Sequence, residues 1–475
     1  MDRLPLPTDT LTDSYSLQRA IGALCGSAVG DALGAPFEFG PAGQWSARFP
    51  EPVLGGTGEM IGGGGFEWAP GEFTDDTQMA MALAESILER GGLDPADVWD
   101  RFALWAGDAN DVGVLTRRVL RDPDRIGAAE RAHTANGGLS AANGALMRVT
   151  PVAVAWASAT PDQLWHAACA QAALTHFDLA AGHGAAIASL MIQRAIHGGD
   201  PLDALPDALD RIPVDQRARY VDMLDASWTP HRPGDPGNGS VWTCLAQAVW
   251  AVRHHDTFAG AVTAAIELGG DTDTVATVTG AIAGARASVQ GIPSRWLTML
   301  NGTVTTSTGV RTYDNVGLQD VARRLFGRTP LSTNPYEPAV GPVAVAERVH
   351  AANLAGAATA PTDWAIVSMC VTQGLLDAHP VRREVFLIDQ AGPVNVDASS
   401  AVRDAVDSID AFLAEGRDVV VHCHGGRSRT GLVLKAWAMR TNGWDERTAH
   451  DWLAERWPLY DDYQTSFVEL LRSEW

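Results

Sequence analysis

A chain of 475 residues is too long for one ordinary core, so two domains are expected, and 46% hydrophobic against 19% charged residues can fill both. A formal net charge of -22 excludes the basic face of a nucleic-acid binder, so no DNA partner is expected, and it suits a chain that gathers carboxylates. Five scattered cysteines (Cys25, Cys169, Cys244, Cys370, Cys423), odd in number and without CxxC spacing, exclude a disulfide framework and a structural zinc site.

The opening MDRLPLPTDTLTDSYS lacks the apolar core of a signal sequence, and no later run reads as long enough to cross a bilayer. A cytoplasmic protein without a membrane partner is therefore expected. From Leu17 to about Arg328 the sequence reads as helices broken by Gly- and Pro-rich loops. MALAESILERGG after Thr77, PDQLWHAACAQAAL, AAIASLMIQRAIHGG and VWTCLAQAVWAVRHH all carry apolar residues at helical spacing. Their Ala and Gly content permits close packing. TPLSTNPYEPAVGPVA, with four prolines and no periodicity, reads as a linker. Beyond it WAIVSMC, VFLI and VVVHC alternate with helical patterns such as SSAVRDAVDSIDAFLAEG and TGLVLKAWAMR, the texture of buried parallel strands with crossover helices.

Phe73-Thr74-Asp75-Asp76-Thr77 opens one apolar helix, and Leu268-Gly269-Gly270-Asp271-Thr272-Asp273-Thr274 opens another. Either alone reads as a helix start, with a capping side chain and acids facing the positive end of the helix dipole. Two such clusters exceed what caps require. Asp and Thr offer only oxygen, which selects hard cations such as Mg²⁺ or Mn²⁺ over zinc, and carboxylates gathered without a cation repel one another.

AVGDALGAPFEF, GGGGFEWAPGEFTDDTQMAMALA, NDVG, NGALMRVTPVA, LTH and LGGDTDTVATVTGAIAGA follow in this order between about residues 17 and 300. Together they resemble the ADP-ribosylglycohydrolase family, and the AVGDALG…EF and TDDT segments are most similar to its dinitrogenase reductase-activating branch. The resemblance implies two divalent cations, Mg²⁺ or Mn²⁺, held by Glu38, Thr74, Asp75, Asp76, Asp271, Asp273 and Thr274. It implies that Asp111 addresses the scissile ribose, that Ser140, Asn143 and Gly144 cradle ADP-ribose, and that His176 touches the substrate. The implied partner is an ADP-ribosylated protein, linked through arginine, or a small ADP-ribosyl conjugate. Cleavage at an anomeric carbon passes through an oxocarbenium-like state, with Asp111 or Glu38 managing the proton.

In Val419-Val420-Val421-His422-Cys423-His424-Gly425-Gly426-Arg427-Ser428-Arg429-Thr430-Gly431 a strand gives way to a tight loop and a helix start. Such a loop turns backbone N–H groups inward and adds the helix's positive end, making an oxyanion nest from His424, Gly425, Gly426, Arg427 and Ser428. Arg429 adds a bidentate grip on phosphate, Cys423 becomes a thiolate nucleophile, and Thr430 is placed to bond the departing sulfur. His422-Cys423-His424 is not read as a metal site, because strand neighbours point to opposite faces. Residues 345 to 470 resemble dual-specificity and tyrosine phosphatases, whose general acid is an upstream Asp, and Asp389 suits that role better than Asp397. A phosphorylated substrate is thus the partner of this part.

The expected architecture is multidomain: an all-α glycohydrolase-like bundle over 14–328, a linker over 329–344, and over 345–475 a small α/β phosphatase-like domain with a mostly parallel sheet. Metal-dependent hydrolysis of an ADP-ribosyl linkage joined to a cysteine phosphatase activity is the function read from it. An ADP-ribose-binding and phosphate-sensing regulator with little turnover, or a glycohydrolase of small ADP-ribosyl molecules, is the alternative.

Overall fold

The computed structural model describes residues 3–9, 11–330, 337–372, 374–390 and 392–475. The chain divides into one unit of Met1–Glu51, Glu59–Ile292 and Met299–Pro330, and a second of Pro52–Gly58, Pro293–Thr298 and Leu331–Trp475. Of the expected linker, 331–336 lie outside the described residues.

Helical spacing in the first unit becomes helices α1 (Ser14–Gly34), α2 (Asp75–Arg90), α3 (Pro161–Ala172), α4 (Leu179–Ile196), α5 (Val241–His254) and α6 (Thr272–Ala287), among others. Gly22, Gly26, Gly30 and Gly34 recur every fourth residue along α1 and so form one bare stripe. A Cβ at Gly22, Gly26 or Gly30 would collide with the backbone of Gly284, Gly280 or Ala276, and one at Gly34 would stand 2.5 Å from the Asp273 Cα. α1 and α6 therefore lie backbone against backbone, which sets Asp31 of α1 beside Asp273 of α6. Ser14–Phe37 does have the length and hydropathy of a bilayer span, against the expectation that no run has, but 94% of its apolar window is buried inside the protein. It is apolar all round because neighbours cover it all round.

One departure from the helical reading is a hairpin of Asn301–Thr306 and Gly309–Asp314. Its Val and Thr residues favour a strand, and Val304 and Tyr313 are buried between more exposed neighbours.

In the second unit the strands are β1 (Val343–Ala346), β2 (Val349–Asn353), β3 (Ala365–Ser368), β4 (Arg382–Glu384) and β5 (Val419–Cys423), ordered β1-β2-β5-β3-β4. All pairs are parallel except the β1–β2 hairpin. Helices α7 (Ala398–Ala414) and α8 (Ser428–Asn442) follow the expected crossovers. Val419, Val421 and Cys423 enter one core with Val402, Ile409 and Val433, while Val420 enters another with Ala352 and Ile366. Both faces of β5 are covered, hence its unbroken apolar run. VFLI, expected as a strand, is not one: β4 stops at Glu384. The Leu387 carbonyl accepts instead from Arg429, and both backbone groups of Ile388 pair with the Asn395 amide. Side chains satisfy there what a ladder would otherwise satisfy.

Candidate functional site

Thr74 does cap α2, its hydroxyl accepting from the Asp76 N–H at 3.4 Å. Asp271, at the head of α6, makes no side-chain cap bond. Its Oδ2 accepts from Asn143 Nδ2 at 2.8 Å, and its N–H donates to Asn238 Oδ1 at 3.0 Å. The Asp271 carboxylate is thus not spent on capping α6. Asp31, Asp76 and Asp273 each offer an oxygen within 4.8 Å of the others; so do Glu38, Asp271 and Asp273, and Asp273 belongs to both groups. Thr274 Oγ1 donates to Asp76 Oδ2 at 3.2 Å, joining the two clusters.

Asp31 is the member that reading the sequence misses. Its carboxylate accepts from the Thr74 N–H at 3.0 Å, the Thr77 N–H at 3.0 Å and the Thr77 hydroxyl at 2.6 Å, tying the head of α2 to α1. The available signal is an acid inside the Ala- and Gly-rich run from Ala20 to Gly34.

Two ionised carboxylates 4.8 Å apart repel by about 3.5 kcal/mol at an effective dielectric of about 20. Six such pairs exceed the whole net stability of an ordinary domain, about 5–15 kcal/mol, so protons or cations must neutralise them. Burial first, then neighbouring carboxylates, pushes Glu38 up to about 9 and lifts Asp75, Asp76 and Asp273 well above the carboxylate range. Asp31 rises only to about 6, because the Thr77 and Thr74 donors work against burial. Glu38 Oε2 and Asp76 Oδ1 are buried without a hydrogen-bond partner among the described residues. An all-oxygen set with orphaned acceptors fits a hard divalent cation.

Asp111 lies near enough to raise Glu38 and Asp75; its own carboxyl is raised by burial, with Arg117 working against it. Both Asn143 amide N–H groups are taken, by Asp271 and by the Asn238 carbonyl, so this side chain braces Asp271. Ser140 Oγ pairs with His133 Nδ1 at 2.6 Å, and His133, Phe177, His183 and Trp242 line a cavity of about 370 Å³. A Cβ at Gly144 would stand 3.2 Å from His176 Cε1 and 3.3 Å from its Nε2, a tight approach that the bare glycine avoids. Burial, then the Arg148 charge, pushes His176 down to about 3.

In the second unit the phosphate loop joins Cys423, the last residue of β5, to Ser428 at the head of α8. Gly426 has φ +71 and no room for a Cβ beside the Ala352 carbonyl, and its own carbonyl accepts from Trp457 Nε1 at 2.6 Å. The His424 carbonyl accepts from the Leu354 N–H at 3.2 Å. Arg429 Nη1 donates to the Met369 carbonyl at 2.7 Å, and its Nε lies 3.4 Å from Asp389. Arg427 reaches Glu337 at 3.4 Å. Asp389 accepts from Ser428 Oγ (2.7 Å), Tyr463 OH (2.9 Å) and Gln464 Nε2 (3.1 Å), so it stands at the loop, with Tyr463 and Gln464 as partners the sequence does not announce. Asp397 instead caps α7 through the Ser400 N–H. Thr430 is buried and its hydroxyl has no partner among the described residues. His422 Nε2 pairs with Ser368 Oγ at 2.7 Å, on the strand face opposite Cys423. Burial pushes the Cys25, Cys244 and Cys370 thiols far up and Cys169 to about 12, so these four stay inert. A third acidic group, Glu446, His450 and Asp462, already holds the Lys435 ammonium, 2.8 Å from each carboxylate.

A helical unit with an oxygen-ligand acidic centre, followed by an α/β unit with a cysteine phosphate loop, defines a two-domain hydrolase. The family model for ADP-ribosylglycohydrolase matches residues 12–335, and that for the dual specificity phosphatase catalytic domain matches residues 380–466. The chain belongs to the ADP-ribosylglycohydrolase family and carries a dual specificity phosphatase domain after it. It is 33% identical to the ADP-ribosyl-[dinitrogen reductase] glycohydrolase of Rhodospirillum rubrum, over 60% of this chain and 90% of that protein. It is 30% identical to an ADP-ribosylarginine hydrolase of Pseudomonas putida, over 68% of this chain and 81% of the other. A solved structure titled ADP-ribosylglycohydrolase-related protein complex matches at 32% identity and a TM-score of 0.52, covering 66% of this chain and 98% of that one.

Proposed function

We propose that the helical unit hydrolyses the bond between ADP-ribose and an arginine side chain of a protein, with two divalent cations, Mg²⁺ or Mn²⁺, and that the C-terminal unit hydrolyses a phosphate monoester through Cys423. The observation that carries the first part is the membership of Asp273 in two acidic groups at once, the arrangement expected of a carboxylate shared between two cations. Glu38, Thr74, Asp75, Asp76, Asp271, Asp273 and Thr274 hold them, with Asp31 fixing the head of α2. When bound, the cations orient ribose hydroxyls and stabilise negative charge on oxygen. Asp111 faces the anomeric carbon and, with Glu38, moves the proton that the departing guanidine nitrogen takes up. The likeness to the ADP-ribosylarginine hydrolase of Pseudomonas putida supports an arginine linkage. A protein acceptor is supported by exposed Phe39, Val114, Leu139 and Phe177, which stand next to Glu38, Gly113, Ser140 and His176 and offer a polypeptide apolar contacts that a small conjugate does not need.

In the second unit the Cys423 thiolate attacks phosphorus as the P–O bond to the leaving group breaks, the leaving oxygen takes a proton from protonated Asp389, and Arg429 with the loop N–H groups carries the phosphoryl charge. Water then cleaves the S–P bond, giving its proton to Asp389 and releasing phosphate and the thiolate. Incubation with ADP-ribosyl-arginine peptide, ADP-ribosyl-serine peptide and small ADP-ribosyl conjugates, each with Mg²⁺, Mn²⁺ or chelator, tests the first reading. Metal-dependent release from the arginine peptide is expected. Release from the small conjugates alone favours a small-molecule enzyme, and tight ADP-ribose binding without turnover favours a regulator.

A further inference from the structure

His176 lies in a chain of hydrogen bonds that begins at a buried cation. Arg148 is fully buried, and no carboxylate among the described residues lies within ion-pair distance of it. Its guanidinium is held by the Phe102 ring at 4.7 Å, Gln171 Oε1 at 3.0 Å and the Gln171 carbonyl at 3.1 Å. Arg148 Nη2, which bonds that carbonyl, also donates to Thr175 Oγ1 at 2.8 Å, and Thr175 Oγ1 lies 2.8 Å from His176 Nδ1. A guanidinium can only donate, so Thr175 oxygen accepts from it. The Thr175 hydroxyl proton has one acceptor left among the described residues, the His176 Nδ1. Were Nδ1 protonated instead, that hydroxyl proton would be buried with no acceptor, the arrangement that folded proteins avoid. A neutral ring that accepts at Nδ1 carries its hydrogen on Nε2, and Nε2 is the edge turned to Gly144, with no hydrogen-bond partner among the described residues.

We propose that Arg148 and Thr175 are a positioning relay that fixes His176 as its Nε2–H tautomer, so that the ring donates a hydrogen bond to an oxygen of the bound ligand. This rests on the reading above that the Gly144 loop and His176 face ADP-ribose. His176 is then a fixed donor and takes no part in proton transfer. Arg148 acts on the ring through the threonine hydroxyl, beside the direct effect of its charge on His176.

The test uses the full chain labelled with [¹⁵N]histidine, its His176 signal assigned by its loss in His176→Gln. Two-bond ¹H–¹⁵N spectra should show a protonated Nε2 and a bare Nδ1 in the wild type. Thr175→Val, close to isosteric, should lose that single tautomer, and Thr175→Ser should restore it. With Mn²⁺ present, ADP-ribose affinity by calorimetry should fall roughly tenfold in Thr175→Val and recover in Thr175→Ser, and KM should move more than kcat. A wild-type ring protonated on Nδ1, or a Thr175→Val protein that keeps both tautomer and affinity, would overturn the relay. Failure of the wild type to bind ADP-ribose at all would count against the proposed function, while the spectra still judge the tautomer.

Discussion

Asp273→Asn keeps the shape of the side chain and removes one charge from the place where the two acidic groups meet. Each group holds three carboxylate pairs and Asp273 enters two in each, so one substitution removes four of the six close repulsions. In the metal-free protein those repulsions are met largely by bound protons. A carboxyl that keeps its proton in the fold at pH 7, but ionises in the unfolded chain near its ordinary value of about 3.9, costs up to about 4 kcal/mol of stability. Asparagine carries no such cost, so metal-free Asp273→Asn should be more stable than wild type by about 2–4 kcal/mol, roughly 2–4 °C in Tm for each kcal/mol. Cation affinity should move the other way, by about 100-fold or more. Thermal unfolding in EDTA and in a Mn²⁺ series measures both, because a cation at 100 times its Kd adds about 2.7 kcal/mol to the wild type. A variant that melts lower than wild type in EDTA, or that keeps the full Mn²⁺ shift, would refute the like-charge reasoning.

The same carboxyls set a pH dependence. Glu38, raised to about 9, and Asp31, raised to about 6, hold protons in the fold that the unfolded chain releases above its ordinary range near 4. Below about pH 6.5 the depressed His176, protonated only in the unfolded chain, pulls the other way. Metal-free stability should therefore fall from about pH 7 to pH 9 and flatten beyond, with the slope abolished by saturating Mn²⁺, and urea midpoints rising across that window would contradict it. Cys423→Ser should lose all hydrolysis of an aryl phosphate while keeping phosphate affinity, and wild-type protein without turnover would make the domain a phosphate reader. Asp389→Asn should slow alkyl phosphate hydrolysis about 100-fold or more and aryl phosphate far less, whereas Asp397→Ala should cost only about 1 kcal/mol of stability through the lost α7 cap. Equal kinetic effects would reverse that assignment. Lys435→Met should cost about 3 kcal/mol in denaturant unfolding, since Glu446 keeps Arg472 and Asp462 keeps His450 but both lose the buried ammonium.

What residue order reveals depends on whether the chemistry is contiguous. The Asp/Thr clusters and the Cys423 loop are legible because each turn carries its ligands in a row and the backbone alone brings them together. Asp31 is not legible as a site residue, since its partners Thr74 and Thr77 lie more than forty positions away, at the head of α2, and are met only in the packed fold. The relay from Arg148 to His176 is hidden for the same reason: adjacency of Thr175 and His176 says nothing until the buried guanidinium fixes which atom donates. VFLI shows the opposite error, where β-branched and aromatic composition suggests a strand but the Arg429 and Asn395 side chains claim its backbone groups. The helical unit is legible almost throughout, because periodicity over long segments outweighs local exceptions such as the 301–314 hairpin.

The most direct measurement is anomalous diffraction from crystals of the full chain equilibrated with Mn²⁺. Two peaks are predicted in the helical unit, one among Asp76 and Asp273 and the other among Glu38, Asp271 and Asp273, with an Asp273 oxygen reaching each. A single peak with Asp273 on only one side of it, or no peak at these carboxylates, would contradict the shared two-cation centre.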